Sequence, residues 1–255
     1  MILQTSQLTK KFGGNVAVKD VSFSIQQGKV NAIIGPNGAG KSTFFNLITG
    51  IHPPTEGQIF YKGEEITKYP ANKIAELGLA RTFQTTNLFE RATVFDNVVV
   101  GHRLRTKSNL FDAIFRTKRL KREEETCKEK ALEVLDFTGL SNVSDQLVAN
   151  ISQEEKKRVA FALALATEPE IVFLDEPTAG VNPDETEELA LLIKKMAEKG
   201  LTVCLIEHKM QMIMSLADQI MVLNYGEKIA EGTPEEIKNN EEVIKAYLGG
   251  GSASA

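Results

Sequence analysis

Gly35-Pro36-Asn37-Gly38-Ala39-Gly40-Lys41-Ser42-Thr43 constrains this chain more than any other stretch, because it fits the pattern G-x-x-x-x-G-K-[ST]. The glycines let the backbone turn tightly and keep side chains away, so that successive N–H groups converge on one anion. Val30-Asn31-Ala32-Ile33-Ile34 before it is a short, mostly apolar run of the kind that forms a buried parallel strand. Thr43-Phe44-Phe45-Asn46-Leu47-Ile48 after it reads as a helix whose positive N-terminal end faces the anion. Strand, loop and helix in that order predict an α/β protein with a phosphate-binding loop. In such a loop Lys41 reaches the β- and γ-phosphates and Ser42 offers its hydroxyl to Mg²⁺. The expected ligand is a nucleoside triphosphate held by Asn37, Gly38, Ala39, Gly40, Lys41, Ser42 and Thr43.

At 255 residues the chain can form one large domain or two small ones. Its net charge of −4 argues against nucleic acid as a bulk partner. The longest apolar run, around Val159–Ala166, is too short to span a bilayer. Met1–Thr5 has neither the basic start nor the cleavage site of a signal peptide. Cys127 and Cys204 lack metal-ligand spacing and are expected to be buried or incidental thiols in a reducing compartment. A cytosolic protein is expected, touching a membrane only peripherally or through partners.

Along the chain, residues 2–8, 18–25 and 58–61 read as strands, and Phe12 precedes the flexible turn Gly13-Gly14. An aromatic ring there can stack on a purine or join the core. Pro70 is expected in the first turn of a short helix reaching Leu77. Residues 81–150 change character. Thr93 is placed to cap a helix over Val94–Val100, and Arg103–Arg122 carries eight Lys/Arg against the single acid Asp112. Glu123-Glu124-Glu125 follows, then a helix with Ala131, Leu132, Val134 and Leu135. The basic run is either a solvated helix face or a contact for anionic headgroups or an acidic partner surface.

From Ser152 the α/β pattern returns. Glu170–Glu176 is an apolar strand ending in two carboxylates, Asn182-Pro183 starts a helix closed by Gly200, and Glu207-His208 follows the strand 201–206. Strands over 219–223 and 227–231 and helices near 234–239 and 241–248 precede a tail, Gly249–Ala255, expected to be disordered. Parallel sheets gather ligands at the carboxyl ends of their strands. Asp175 is placed to hold Mg²⁺ beside Ser42, Glu176 to polarise an attacking water as general base, Gln84 to orient that water, and His208 to reach the γ-phosphate or the water.

Phe12, the phosphate loop, Gln84, the strand ending in Asp175-Glu176, and His208 occur in the order of the ABC transporter ATPases, which the chain resembles over residues 1–248. The stretches Gly78–Gln84, Asp175–Pro183, Ile206–Met210 and the ending Gly232–Leu248 look most like the branched-chain amino acid import ATPases, with lipopolysaccharide-export ATPases sharing much of the pattern. The resemblance implies an ABC-type P-loop NTPase fold: a RecA-like core with an N-terminal antiparallel β part from 1–84 and 151–248, and an inserted helical subdomain over 85–150. It implies Phe12 as the aromatic stacked on adenine, and ATP and Mg²⁺ as cofactors. Ser42, Gln84 and Asp175 fall around the metal, and Glu176, His208 and Gln84 around the reaction. It also implies a second ABC ATPase subunit, transmembrane permease subunits, and a cytoplasmic location at the inner face of the cell membrane. The segment Thr85–Arg91 is expected to dock the permease.

One departure stands out. The family's signature L-S-G-G-Q aligns with Ile151-Ser152-Gln153-Glu154-Glu155, which keeps the serine and loses both glycines. In the family this segment caps the γ-phosphate of the opposite subunit, so the Glu154 carboxylate is expected to meet like charge, at about 4 kcal/mol for unit charges 4 Å apart at an effective dielectric of 20, unless Lys156, Lys157 or an outward rotamer relieves it. A heterodimer with one competent composite site is the expectation. An ATP-driven dimerising protein with little hydrolysis is the rival from a different class, and an export ATPase is the rival within it.

Overall fold

The computed structural model describes residues 1–82 and 88–249. Two sheets form its frame. The first is antiparallel, in the order β2-β1-β4-β5, with β1 Leu3–Phe12, β2 Asn15–Ile25, β4 Glu56–Tyr61 and β5 Glu64–Glu65. The strands expected over 2–8 and 18–25 are the inner parts of one longer hairpin, with Phe12 paired to Asn15 across Gly13-Gly14. Backbone pairing carries the hairpin beyond its apolar alternation, so its tip stands in solvent.

The second sheet runs β10-β9-β3-β8-β7-β6, with β3 Val30–Ile34, β6 Leu79–Thr82, β7 Ile171–Asp175, β8 Thr202–Ile206, β9 Gln219–Asn224 and β10 Glu227–Gly232. All neighbours are parallel except β9 and β10. Every residue of β3, β7 and β8 is buried, which explains why these strands read as continuous apolar runs. One face packs on α1 (Lys41–Ile48) and the antiparallel sheet, through Ile33, Phe44, Phe45, Phe173 and Phe23. The opposite face packs on α7 (Pro183–Glu198) and α8 (Met210–Leu216), through Leu189, Ile193, Leu174, Leu205 and Ile213.

A third apolar cluster lies among helices alone. Val94 and Val98 of α3 (Val94–His102), Ala131, Val134 and Leu135 of α5 (Lys118–Phe137), and Val159 and Ala162 of α6 (Gln153–Leu165) meet there. Helix α6 also turns Phe161 and Ala164 to the sheet, so it belongs to both layers. Leu132, read as part of the apolar stripe of α5, is exposed. The remaining helices are α2 (Ala71–Glu76), α4 (Leu110–Phe115), α9 (Pro234–Lys238) and α10 (Glu241–Gly249). Pro70 is the extended N-cap of α2 (φ −72°, ψ 160°) rather than a residue of its first turn. Gly249 closes α10, and the rest of the expected tail lies outside the described residues.

Candidate functional site

Three adjacent strands deliver the site at one level. Ile206, the last residue of β8, pairs with Ile33 of β3 on one side and with Asp175, the last residue of β7, on the other. The segments that follow, Gly35–Lys41, Glu176–Thr178 and Glu207-His208, therefore leave the sheet side by side at its carboxyl edge, where such folds hold their ligands.

The phosphate loop is held by backbone through Gly226. The Gly226 N–H donates to the Ala39 carbonyl (3.1 Å), and the Lys19 N–H donates to the Gly226 carbonyl (2.8 Å). This ties the loop to β2 and to the β9–β10 turn. Gly40 has φ +97°, and a Cβ there would sit 2.4 Å from the Ala17 carbonyl oxygen, so no other residue fits. Lys41 donates from Nζ to the carbonyls of Gly35 (2.7 Å) and Pro36 (2.9 Å). Burial pushes its ammonium below the ordinary lysine range, with Glu176 and Asp175 pulling the other way.

A cavity of 450 Å³ opens over the loop, lined by Asn37–Thr43, Glu176 and His208, and by Asn15, Val16, Ala17, Tyr225 and Gly226. All seven loop residues read from the sequence are in its wall. The hairpin and turn residues were not among the candidates, because only the long-range packing of β2 and the β9–β10 turn on the loop brings them there.

Asp175 is buried rather than on that wall. Its Oδ2 accepts from Arg81 Nη2 at 2.7 Å, and its Oδ1 has no hydrogen-bond partner among the described residues. Arg81 also donates from Nη1 to Asn46 Oδ1 (2.7 Å) and Thr49 Oγ1 (3.1 Å) on α1. One guanidinium thus ties β6, β7 and the helix behind the phosphate loop. It satisfies the main condition for a buried carboxylate, an opposite charge in contact.

Glu176 has a left-handed backbone (φ +46°), uncommon for a residue with a Cβ. Its N–H donates to the Ile206 carbonyl (2.9 Å), which fixes the turn, and its Oε1 lies 2.7 Å from His208 Nε2. Glu207, buried next to His208, braces the pair. Its Oε1 accepts from the Thr178 N–H (3.1 Å) and hydroxyl, and its Oε2 accepts from the His208 N–H (2.7 Å). Glu207 was quoted only as part of a motif; its position beside His208 at a strand end was the available signal.

Phe12 is not in the cavity wall. It is 44% exposed at the end of β1, edge-on to His52 with ring centroids 5.6 Å apart, under the Lys10 ammonium. Gln84 lies outside the described residues, as does Thr85–Asn87 of the expected docking segment; Leu88 beyond it is described. A second, largely apolar groove of 370 Å³ runs between the sheet and the helical layer, lined by Thr49, Ile51, Ile74, Leu79, Leu88 and Leu104 among others.

The segment Ile151–Glu155 is the N-terminus of α6. Ser152 is its N-cap, accepting from the Glu155 N–H (3.1 Å) while the Glu155 carboxylate accepts from the Ser152 N–H (2.7 Å). This is a reciprocal capping box. The Glu154 carboxylate is engaged within its own helix, by Arg158 rather than by Lys156 or Lys157. The side chain turns back along the helix, is buried, and is ion-paired with Arg158 one turn on, while Arg158 also pairs with Glu188. Burial still pushes the Glu154 carboxyl above the usual carboxylate range, with Arg158 offsetting it.

A family model described as ABC transporter matches residues 18–179, and one described as branched-chain amino acid ATP-binding cassette transporter matches residues 227–253. The chain is 42% identical over 249 residues to the high-affinity branched-chain amino acid transport ATP-binding protein BraF of Pseudomonas aeruginosa, covering 97% of this chain and 98% of that protein. It is 39% identical, with the same coverage, to LivG of Salmonella typhimurium, which carries the same description. A crystal structure of the ADP conformation of an ATP-binding cassette of an ABC transporter superposes with a TM-score of 0.85 at 33% identity, covering 97% of this chain and 98% of that one. The phosphate loop at one level with two further strand ends, and likeness along the full length of these proteins, make this chain a member of the ABC transporter family, as one of its nucleotide-binding, ATP-hydrolysing subunits.

Proposed function

We propose that this chain powers the import of branched-chain amino acids, hydrolysing ATP on the cytoplasmic face of the cell membrane against transmembrane permease subunits. The observation that carries the substrate is the end-to-end likeness to BraF and LivG, reinforced by the separate match of residues 227–253. Among the described residues no helix is long and apolar enough to cross a membrane, so the path for the amino acid belongs to other subunits. The apolar groove at Leu88 and Leu104 supports docking of a permease segment there.

Within the site, the loop amides and Lys41 hold the β- and γ-phosphates, and charge neutralisation and positioning supply most of the catalysis. Glu176 takes the proton of the attacking water, and His208, in contact with Glu176, orients that carboxylate and the γ-phosphate. Gln84 completes the water-binding shell, and Phe12 stacks on the adenine at the mouth of the hairpin. The Asp175 Oδ1, without a partner among the described residues, and the Ser42 hydroxyl are hard oxygen donors that would hold Mg²⁺. When bound, Mg²⁺ neutralises charge on the β- and γ-phosphate oxygens.

The working unit is a pair of such subunits closed over ATP, with residues 85–150 as the helical subdomain and the partner-facing signature just after it at Ile151–Glu155. A heterodimer is the assembly we favour. Gln153 and Glu154 put side chains where the family has glycines, which restricts how closely the N–H groups of α6 approach a phosphate. The test of transport is ATP-driven uptake of radiolabelled leucine, isoleucine and valine by vesicles containing the permease and both ATPases. Uptake that stops with Glu176→Gln supports the reading; ATP turnover without uptake of any of the three overturns the substrate.

A further inference from the structure

Helix α4 projects an apolar tip that is left exposed among the described residues. Phe111, Ile114 and Phe115, spaced i, i+3 and i+4, are 63%, 67% and 64% exposed, and the two phenyl rings lie 4.4 Å apart. The helix is fixed by its own polar ends instead. Asn109 and Asp112 form a capping box, and the Thr117 hydroxyl donates to Asp112 (2.8 Å). Contiguous large apolar side chains in water mark a contact surface.

The charges around the tip say what kind of surface it meets. Arg103, Lys107, Arg116, Lys118, Lys121 and Arg122 are exposed, and none has an ion pair among the described residues. The nearby acids are mostly engaged. Asp112 serves the capping box, and Glu123 pairs with Arg119 and accepts from the Ser108 hydroxyl and the Lys107 and Ser108 N–H groups, the hydroxyl above all lowering its carboxyl to about 2. Glu124 and Glu125 follow on α5, Glu124 one turn beyond Lys121, and Glu125 one turn beyond Lys121 and Arg122 and two turns beyond Lys118. A projecting apolar knob ringed by long cationic side chains in no fixed pairing suits a fluid anionic interface better than a shaped protein groove.

Position agrees. Leu104 lines the groove to which we assign the permease, and six residues of chain reach at most about 21 Å, so α4 starts near the side of the molecule that would face the bilayer. We infer that α4 and the start of α5 form a membrane-surface anchor for anionic phospholipid, seating Phe111, Ile114 and Phe115 among the headgroups. The orientation argument rests on the proposed permease docking, but lipid binding by the isolated chain needs neither permease nor ATP turnover, so the two readings fail separately.

Flotation of the purified full chain with vesicles tests this, comparing pure phosphatidylcholine with equal parts phosphatidylcholine and phosphatidylglycerol. Binding should be confined to the anionic vesicles and fall as salt rises. It should be abolished by the combined changes Phe111→Ser, Ile114→Ser and Phe115→Ser, and weakened about fivefold by each of Lys118→Gln and Lys121→Gln. ATP binding by the variants, which lie outside the nucleotide site, checks that they fold. Absence of binding to anionic vesicles, equal binding to neutral ones, or no response to the triple change overturns the inference. So does a concentration-dependent dimer that the triple change dissolves, since the tip would then be an interface between copies of this chain.

Discussion

The phosphate loop and the N-terminus of α6 are both places where helix N–H groups can meet an anion, and this chain treats them in opposite ways. At the loop, glycine clears the approach and the β9–β10 turn, itself bonded to β2, fixes the loop through the Ala39 carbonyl; a Cβ on Gly40 would lie 2.4 Å from Ala17 O. At α6, Ser152 and Glu155 spend their polar groups on each other and Glu154 folds onto Arg158. One helix end is built for a phosphate of its own subunit; the other is finished as an ordinary capped helix. A helix N-terminus becomes a site only where close approach is left free.

The largest effect should come from the loop side. Glu176→Gln should lower ATP turnover by about 10²–10⁴-fold in steady-state assays while leaving nucleotide binding intact, since a general base contributes that much. Turnover within a few-fold of normal would remove Glu176 from the chemistry. Next is Arg81→Met, which strands the buried Asp175 carboxylate. Breaking such a pair costs about 3–5 kcal/mol, read as a lower midpoint in urea, and Arg81→Met with Asp175→Leu should recover much of it.

The comparison can also be reversed by mutation. Gln153→Gly with Glu154→Gly restores the family's glycines and should raise turnover of the chain alone by about tenfold or more, the scale of one recovered charge-assisted contact of about 1.5 kcal/mol. Its ATP affinity as a monomer should not move. The smallest expected effect belongs to Ser152→Ala, which removes the cap of α6 at about 1 kcal/mol of stability. Turnover in the presence of a partner ATPase should be unchanged, because the competent site uses the partner's signature; a large loss would place Ser152 in the working site.

What could be read in advance followed the range of the interactions. The loop, the Asp175-Glu176 strand end, and Glu207-His208 are local patterns, each fixed by a strand and the residues just beyond it. The packing of Asn15–Ala17 and Gly226 on the loop, and the reach of Arg81 to Asp175, join residues far apart in the chain and left no local trace. The inward turn of Glu154 was legible in principle, since Arg158 stands at the i, i+4 spacing that forms helix ion pairs. Phe12, in the outer hairpin, is exposed beside His52 and is not in the cavity wall.

The proposed heterodimer pairs a complete site in cis with an impaired one in trans. Its most direct test is ATP turnover of the purified chain across a range of concentrations, alone and with a partner ATPase whose signature keeps both glycines, with Glu176→Gln as the blank. Turnover that appears only with the partner is the predicted result. Strong turnover by the chain alone, rising with the square of its concentration as a symmetric dimer would, contradicts it.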